Sequence, residues 1–465
     1  MTATIKAYKE DIIQYFESDY NNITAKHDIL KNHGTVHIAF PQILKKQASK
    51  IINSLGDSNI DIYMALKSTY SPSLIREAAL TGLGAEVSSL NELSLAIKLG
   101  FKSIIAGGPK NNDYLNEGIK QNTIISVDSM TELMMIADTN KEARIMLRIS
   151  DPESIGRDIM IKTSRFGIPR KEINRAIEII GESNGQIILL GFHHHADGYD
   201  AETRKGFVEY FLRLASEAEN KGIRTIRYIN IGGGYRQSLI ANPKEWIEYT
   251  RGLEKDLLEG NDIKVWGNYA YGMTLSDKGN IKGRTIAESK GIKSDITTDI
   301  NTILSGKMSG TRHTIRDILY ENDYRIIIEP GFALSTTAGM TMMNVIGTKI
   351  TPCYANLVLV DGNIFSLSTN MIEHITDPEL ITGHEIEGDG YEGYIIGNLC
   401  REDDFIIKRK IRFPRKPVAG DKIAYYNTGS YAMSYEQCNP QRQPKPAYIK
   451  AIKEKDEWMI EYDNQ

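Results

Sequence analysis

Residues 60–89 read IDIYMALKSTYSPSLIREAALTGLGAEVSS. An apolar run closes on Lys67, and a Ser-Pro pair opens a stretch with apolar residues at i, i+3 and i+4. A Gly-punctuated turn then leads into a second short apolar run. That order predicts strand, helix, strand. The unit repeats down the chain. Further strands are predicted in SIIAGG (103–108), TIISVD (123–128), RIMLRIS (144–150), QIILLGFHHH (186–195), YINIGGG (228–234) and RIIIEPG (325–331). SLNELSLAIKLG (89–100) and SMTELMMIADTN (129–140) supply helices that begin at Ser, as helix caps prefer. The strands are nearly continuous apolar runs, as expected where both faces are buried. Eight strand–helix units predict a closed parallel barrel of the TIM type, (β/α)8. An open doubly wound sheet gives the same local pattern and is the alternative.

The chain changes character after about residue 335. TMMNVIGTKI, NLVLVDG, GYIIGN, DFIIKRKIRF and DKIAYYNTG are strand-rich and Gly/Pro-punctuated, predicting an antiparallel β domain. HGTVHIAF (33–40) offers a strand and a crossover, so residues 1–40 are assigned to the β domain with 336–465. The barrel is assigned to 41–335. Residues from about 253 to 322 interrupt the step to the last strand and are too long for an ordinary loop. They read as an inserted subdomain or a partly mobile lid.

Composition excludes several classes. In 465 residues, 56 Lys+Arg against 60 Asp+Glu leave a net charge of -4, with no block of like charge to bind nucleic acid. No apolar run approaches the roughly 18 residues of a membrane span, and the N-terminus has no apolar signal core. Cys353, Cys400 and Cys438 are an odd count without a paired framework, fitting a reducing cytoplasm.

Polar residues gather at the predicted strand ends, where barrels do chemistry. Lys67 closes an apolar strand, so desolvation is expected to lower its pKa and free the amine for Schiff-base chemistry; taken alone it also reads as a snorkelling surface lysine. Gly232, Gly233 and Gly234 let three backbone N–H groups converge on an anion such as phosphate, or form only a tight turn. Glu329, before Pro330 and Gly331, is a carboxylate able to hold a ring nitrogen protonated or to form a structural salt bridge. Of His193, His194 and His195 at most two face inward; no carboxylate or Cys stands at ligand spacing, so no metal is expected and an imidazole stacked on a flat cofactor is the functional reading. Arg148 ends its own strand and joins this group. Together the lysine, phosphate cradle, stacking partner and ring-nitrogen carboxylate describe pyridoxal 5'-phosphate bound as an aldimine to Lys67.

YMALKSTYSP, GAEVSSLNE, IIAGGPKNN, VDSMTEL, KTSRFGI, INIGGGY, EPG and C-x-x-x-D followed by N-T-G-S-Y resemble the fold-type III pyridoxal phosphate decarboxylases. That is the diaminopimelate and ornithine decarboxylase superfamily, with an alanine racemase-like fold. The resemblance implies an aldimine on Lys67, stacking by His195, phosphate binding by Gly232, Gly233 and Gly234, and pairing of Glu329 with the pyridinium. It also implies Cys400 acting at Cα from a partner subunit, Tyr431 touching the phosphate, and a head-to-tail homodimer with shared sites. Glu329 favours decarboxylation over racemisation, because the racemase branch places an Arg there.

The departures from the family bear on substrate. Phe332 stands where an Arg is usual, Gly198 where a Ser is usual, and Glu86 where an Asp is usual beside the ring. Arg401 replaces the acidic residue that follows the active-site Cys; it would repel a distal ammonium and attract a carboxylate or phosphate. Glu402 and Asp404 are the alternative readers of a basic group. The C-terminal motifs resemble the decarboxylase domain of microcin C-type peptide-nucleotide antibiotic maturation, which implies an aminocarboxypropyl substrate carried on a phosphoramidate. The rival readings are a racemase or epimerase on the same cofactor, a non-catalytic relative that binds a partner protein, and a barrel-lysine aldolase, which the C-terminal β domain disfavours.

Overall fold

The computed structural model describes residues 4–56, 59–157, 164–261, 265–268, 270–283, 295–367, 374–382, 388–434 and 440–464. Lys162 and Thr163 of the KTSRFGI motif, Cys438, and residues 262–264, 269 and 284–294 of the expected insertion lie outside the described residues.

Eight parallel strands close a barrel. They are β2 (Ile60–Ala65), β3 (Gly84–Val87), β4 (Ile104–Ala106), β5 (Ile124–Val127), β6 (Ala143–Arg148), β7 (Ile187–His193), β8 (Tyr228–Asn230) and β11 (Arg325–Ile328), with β11 pairing β2 to complete the ring. All eight runs expected from sequence are present, and the open-sheet alternative is excluded by that closure. The barrel interior is filled by Tyr63, Ile105, Ile124, Met146, Leu190 and Ile327. Gly84 is required opposite Tyr63, because a Cβ there would lie 2.4 Å from the Tyr63 ring. Helices Pro72–Leu80, Leu90–Lys98 and Met130–Asp138 follow β2, β3 and β5. Ser71, Ser89 and Ser129 cap them by accepting a backbone N–H, as the sequence pattern predicted.

A second sheet is built from β1 (Thr35–Ala39) and the C-terminal strands: β12 (Gly339–Ile350), β13 (Asn356–Val360), β14 (Glu379–Ile381), β15 (Tyr391–Ile396), β16 (Phe405–Phe413), β17 (Lys422–Tyr426), β18 (Ala447–Glu454) and β19 (Glu457–Tyr462). It is mixed rather than purely antiparallel: β1 pairs β18 in parallel, and β13 pairs β15 in parallel. Neither pair is joined by a hairpin, so nothing forces the antiparallel sense. The two units meet at named contacts. The Ser71 and Ser73 hydroxyls donate to the buried carboxylate of Asp463, and the Tyr431 N–H donates to the Ser68 carbonyl at 2.7 Å.

The described part of the 253–322 stretch carries a hairpin, β9 (Thr274–Leu275) and β10 (Ile281–Lys282), and a small core of Leu253, Val265, Ala270, Tyr271 and Met273. Trp266 stacks on Phe405 of β16 at 4.5 Å, and helix Ile296–Ser305 packs on helices Ala201–Asn220 and Pro41–Leu55.

Candidate active site

The carboxyl ends of the barrel strands bring Lys67, Glu86, Arg148, His193, His195 and Glu329 around one mouth. Lys67 lies on a single helical turn, Leu66–Ser68, directly after β2. Its Nζ donates to Glu86 Oε2 at 3.1 Å. Gly107 makes room for that carboxylate, since a Cβ there would lie 2.5 Å from Glu86 Oε1. Burial would lower the Lys67 pKa, but the carboxylates of Glu86 and Glu329 outweigh it and hold the ammonium above its ordinary value. The direction is thus opposite to that expected from desolvation of a strand-end lysine. The Lys67 and Glu329 turns abut: a Cβ on Gly331 would lie 2.6 Å from Ser68 Cβ. Tyr431 reaches the same turn in a left-handed conformation, φ 56°.

Glu329 follows β11 and is 3% exposed. Asn230 Nδ2 donates to its Oε1 at 2.7 Å, and His193 Nε2 stands 3.7 Å from its Oε2. Burial, and then neighbouring Glu86, push the Glu329 pKa up to about 7, against the pull of Lys67. The carboxyl group therefore sits where a cation would be welcome. Asn230 also accepts the Gly232 N–H at 2.8 Å, so one side chain ties the carboxylate to the glycine loop. Sequence reasoning missed Asn230; the available signal was a lone amide inside the otherwise apolar run YINI.

The three histidines separate. His193 faces inward, its Nδ1 2.7 Å from Ser126 Oγ, its Nε2 buried without a hydrogen bond. His194 faces outward against Phe207 and bonds the Ile149 carbonyl. His195 lies beside the glycine loop, its Nδ1 accepting the Gly233 N–H at 3.3 Å. Burial, and then the positive charge of Arg148 on His193 and of Lys67 on His195, hold both rings well below their ordinary pKa. Arg148 pairs with Asp128 at 3.3 Å and lies over the Phe166 ring. Among the described residues no group of three or more His, Cys, Asp or Glu is placed to hold a metal ion.

The glycine triplet departs from the simple cradle. The Gly232 N–H is taken by Asn230 and the Gly233 N–H by His195, so three free N–H groups do not converge. Gly232 (φ 66°) and Gly234 (φ 79°) adopt left-handed conformations, and a Cβ on Gly233 would strike the Glu329 carbonyl at 2.5 Å.

Cys400, Arg401, Glu402 and Asp404 lie together on the loop between β15 and β16. Cys400 is exposed, and its backbone bonds Gln441. Arg401 forks onto Asp403, and both are exposed. Glu402 is exposed. Asp404 is buried; its Oδ1 accepts the Ile364 N–H at 2.8 Å and its Oδ2 the Leu399 N–H at 2.9 Å. Each Asp404 oxygen thus accepts a backbone N–H, which builds the loop on which Cys400 stands. Asp404→Asn turns an amide NH2 toward a backbone donor and is expected to cost about 1–3 kcal/mol. Chemical denaturation will show this, together with faster thiol labelling of Cys400.

A buried carboxylate with a raised pKa, an inward imidazole whose Nε2 lacks a hydrogen bond and a lysine at the mouth fit a flat ring bearing an aldehyde and a basic nitrogen. These features define a pyridoxal-binding barrel. Residues 42–260 match the family model described as pyridoxal-dependent decarboxylase, pyridoxal binding domain. The chain is 28% identical over 443 residues to the uncharacterized protein y4yA of Sinorhizobium fredii, covering 92% of this chain and 90% of that one. It is 22% identical over 450 residues to a diaminopimelate decarboxylase of Archaeoglobus fulgidus, covering 93% and 91%. The fold matches the diaminopimelate decarboxylase of Helicobacter pylori complexed with L-lysine (TM-score 0.64, 19% identity, covering 93% and 95%). It also matches the arginine decarboxylase of Paramecium bursaria Chlorella virus (TM-score 0.68, 17% identity, covering 94% and 100%). Residues 42–260 thus match the pyridoxal-binding domain of the pyridoxal-dependent decarboxylases, and the chain as a whole shares the fold of the diaminopimelate and arginine decarboxylases.

Proposed function

We propose that this protein is a pyridoxal phosphate-dependent carboxy-lyase that removes the α-carboxylate of an amino acid. The observation that carries the reading is Glu329, a buried carboxylate fixed by Asn230 in the same chamber as the Lys67 amine. The cofactor, when bound, supplies a sink for the electron pair left at Cα as a bond to it breaks. Lys67 would hold the cofactor through its side-chain amine. Glu329 would hold a proton on the cofactor's ring nitrogen, which a neutral or cationic residue would not do. Glu86 accepts from the Lys67 ammonium. His195, uncharged, would lie against the ring, and Arg148 is braced by Asp128. The loop of Gly232, Gly233 and Gly234, whose first two N–H groups are bonded within the protein, would carry the phosphate together with Tyr431. Cys400, from the second subunit of a homodimer, delivers the proton that replaces CO2. The protein is assigned to the cytoplasm, where its free thiols stay reduced.

The finer assignment concerns the far end of the substrate. The C-terminal motifs favour a modified substrate, an aminocarboxypropyl group on a phosphoramidate as in peptide-nucleotide antibiotic biosynthesis, with Arg401 reading the distal anion. Since Arg401 is forked onto Asp403, that anion must displace a carboxylate of the same loop. The test is CO2 release across basic, acidic and diamino-dicarboxylic amino acids and an aminocarboxypropylated nucleotide. If the nucleotide is preferred, Arg401→Asp should lower its kcat/KM by roughly 10–100-fold and spare simple amino acids. Unchanged preference removes Arg401 from substrate reading. Release from basic amino acids alone removes the modified substrate.

A further inference from the structure

Arg204, in the first turn of helix Ala201–Asn220, is 1% exposed. No carboxylate lies within ion-pair distance of it among the described residues. Its Nε donates to the Tyr199 carbonyl at 3.2 Å. Its Nη2 donates to the carbonyls of Gly233 and Gly234 at 3.0 and 3.3 Å. The guanidinium lies 4.4 Å from the centre of the Tyr235 ring. A buried cation held by carbonyls and an aromatic ring, with no counter-charge, is costly unless an anion completes its surroundings.

The geometry shows where that anion belongs. All described peptide bonds are trans, so each C=O points opposite to the N–H of the same peptide unit. With the Gly233 and Gly234 carbonyls turned to Arg204, the N–H groups of Gly234 and Tyr235 point away from it. Neither N–H donates to a described residue, whereas the Gly232 and Gly233 N–H groups are already spent. The left-handed Gly234 lets two successive N–H groups share one concave face, as in anion-binding nests. The turn after Glu329 offers no cation, because Phe332 follows Gly331. A Cβ on Gly234 would lie 2.6 Å from Asp197 Oδ1, but Asp197 is exposed, so solvent screens its charge more than that of Arg204.

We propose that Arg204 is the positioning residue of the phosphate cradle: it aims the Gly234 and Tyr235 N–H groups at the cofactor's phosphate and supplies the buried charge that makes the cradle select a dianion. This rests on the pyridoxal phosphate reading above. Arg204 acts through the two peptide units and touches neither substrate nor the reacting atoms.

The test compares pyridoxal 5'-phosphate with pyridoxal, which shares the aldehyde and ring but lacks the phosphate. Each is titrated against the full-length protein, and occupancy is read by borohydride trapping and peptide mapping at Lys67. Arg204→Met is expected to weaken pyridoxal phosphate roughly 10–100-fold while leaving pyridoxal unchanged. Inorganic phosphate should protect the wild-type site from pyridoxal phosphate and lose that effect in the variant. Arg204→Lys keeps the charge without the fork and should lose about 10-fold; it carries the same comparison if Arg204→Met does not fold. Equal weakening of both aldehydes, or no change in their ratio, overturns the proposal. If wild-type Lys67 is labelled by neither aldehyde, the cofactor reading itself fails.

Discussion

Lys67→Ala is expected to abolish covalent cofactor attachment and to cut CO2 release by ~10³-fold or more, the scale on which removing a positioned proton-transfer group acts. The loss is large because nothing replaces the amine. Lys110, the next lysine toward the barrel core, is spent on Glu132 and on the carbonyls of Gly108 and Ser126. The fold should tolerate the change: the Lys67 side chain reaches into the site mouth rather than the packed core, and its ammonium bonds Glu86. Because Glu86 and Glu329 keep that ammonium charged, attachment to the wild-type apoprotein should accelerate as pH rises and more free amine appears. Stopped-flow absorbance after mixing with the cofactor measures it. A flat pH profile would mean that the carboxylates do not control the amine.

Glu329→Gln should act in opposite directions on the two forms of the protein. In the loaded enzyme the amide still accepts from Asn230 but offers no charge to a protonated ring nitrogen. Breaking a buried charge pair costs about 3–5 kcal/mol, or roughly 10²–10⁴ in rate. In the apoprotein the same change should stabilise at alkaline pH. Folding raises the Glu329 pKa to about 7, so the folded state binds that proton more tightly than the unfolded chain. Its contribution favours folding in acid and is lost as pH rises through about 7. An amide does not ionise. Apo Glu329→Gln is therefore expected to match wild type near pH 5 and to melt higher at pH 8. A variant that melts lower at pH 8 would show that Glu329 is not a strained, buried charge.

The barrel was legible because its strands are buried on both faces and end in abrupt polar residues. Lys67 and Glu329 stood out as the only charges closing IDIYMAL and RIII. What the sequence hid depended on distances across the barrel. Desolvation predicted a lowered lysine, and two carboxylates from other strands reversed it. Asn230 reads as an ordinary strand residue until β8 and β11 are placed side by side. The Gly triplet announced an anion site but not that Asn230 and His195 occupy its first two N–H groups. Arg204 lies 29 residues before the Gly233 carbonyl it bonds, on a helix whose pattern is only amphipathic. The place of Asp404 after Cys400 did not announce that its oxygens close the loop on which Cys400 stands.

The most direct test of the central claim follows the carboxyl carbon and Cα together. The purified protein, loaded with pyridoxal phosphate, is given a 1-13C amino acid substrate in deuterated water. The account predicts one 13CO2 released per product amine, with a single deuterium at Cα. Retention of the 13C carboxylate with deuterium appearing at Cα would contradict it and identify a racemase.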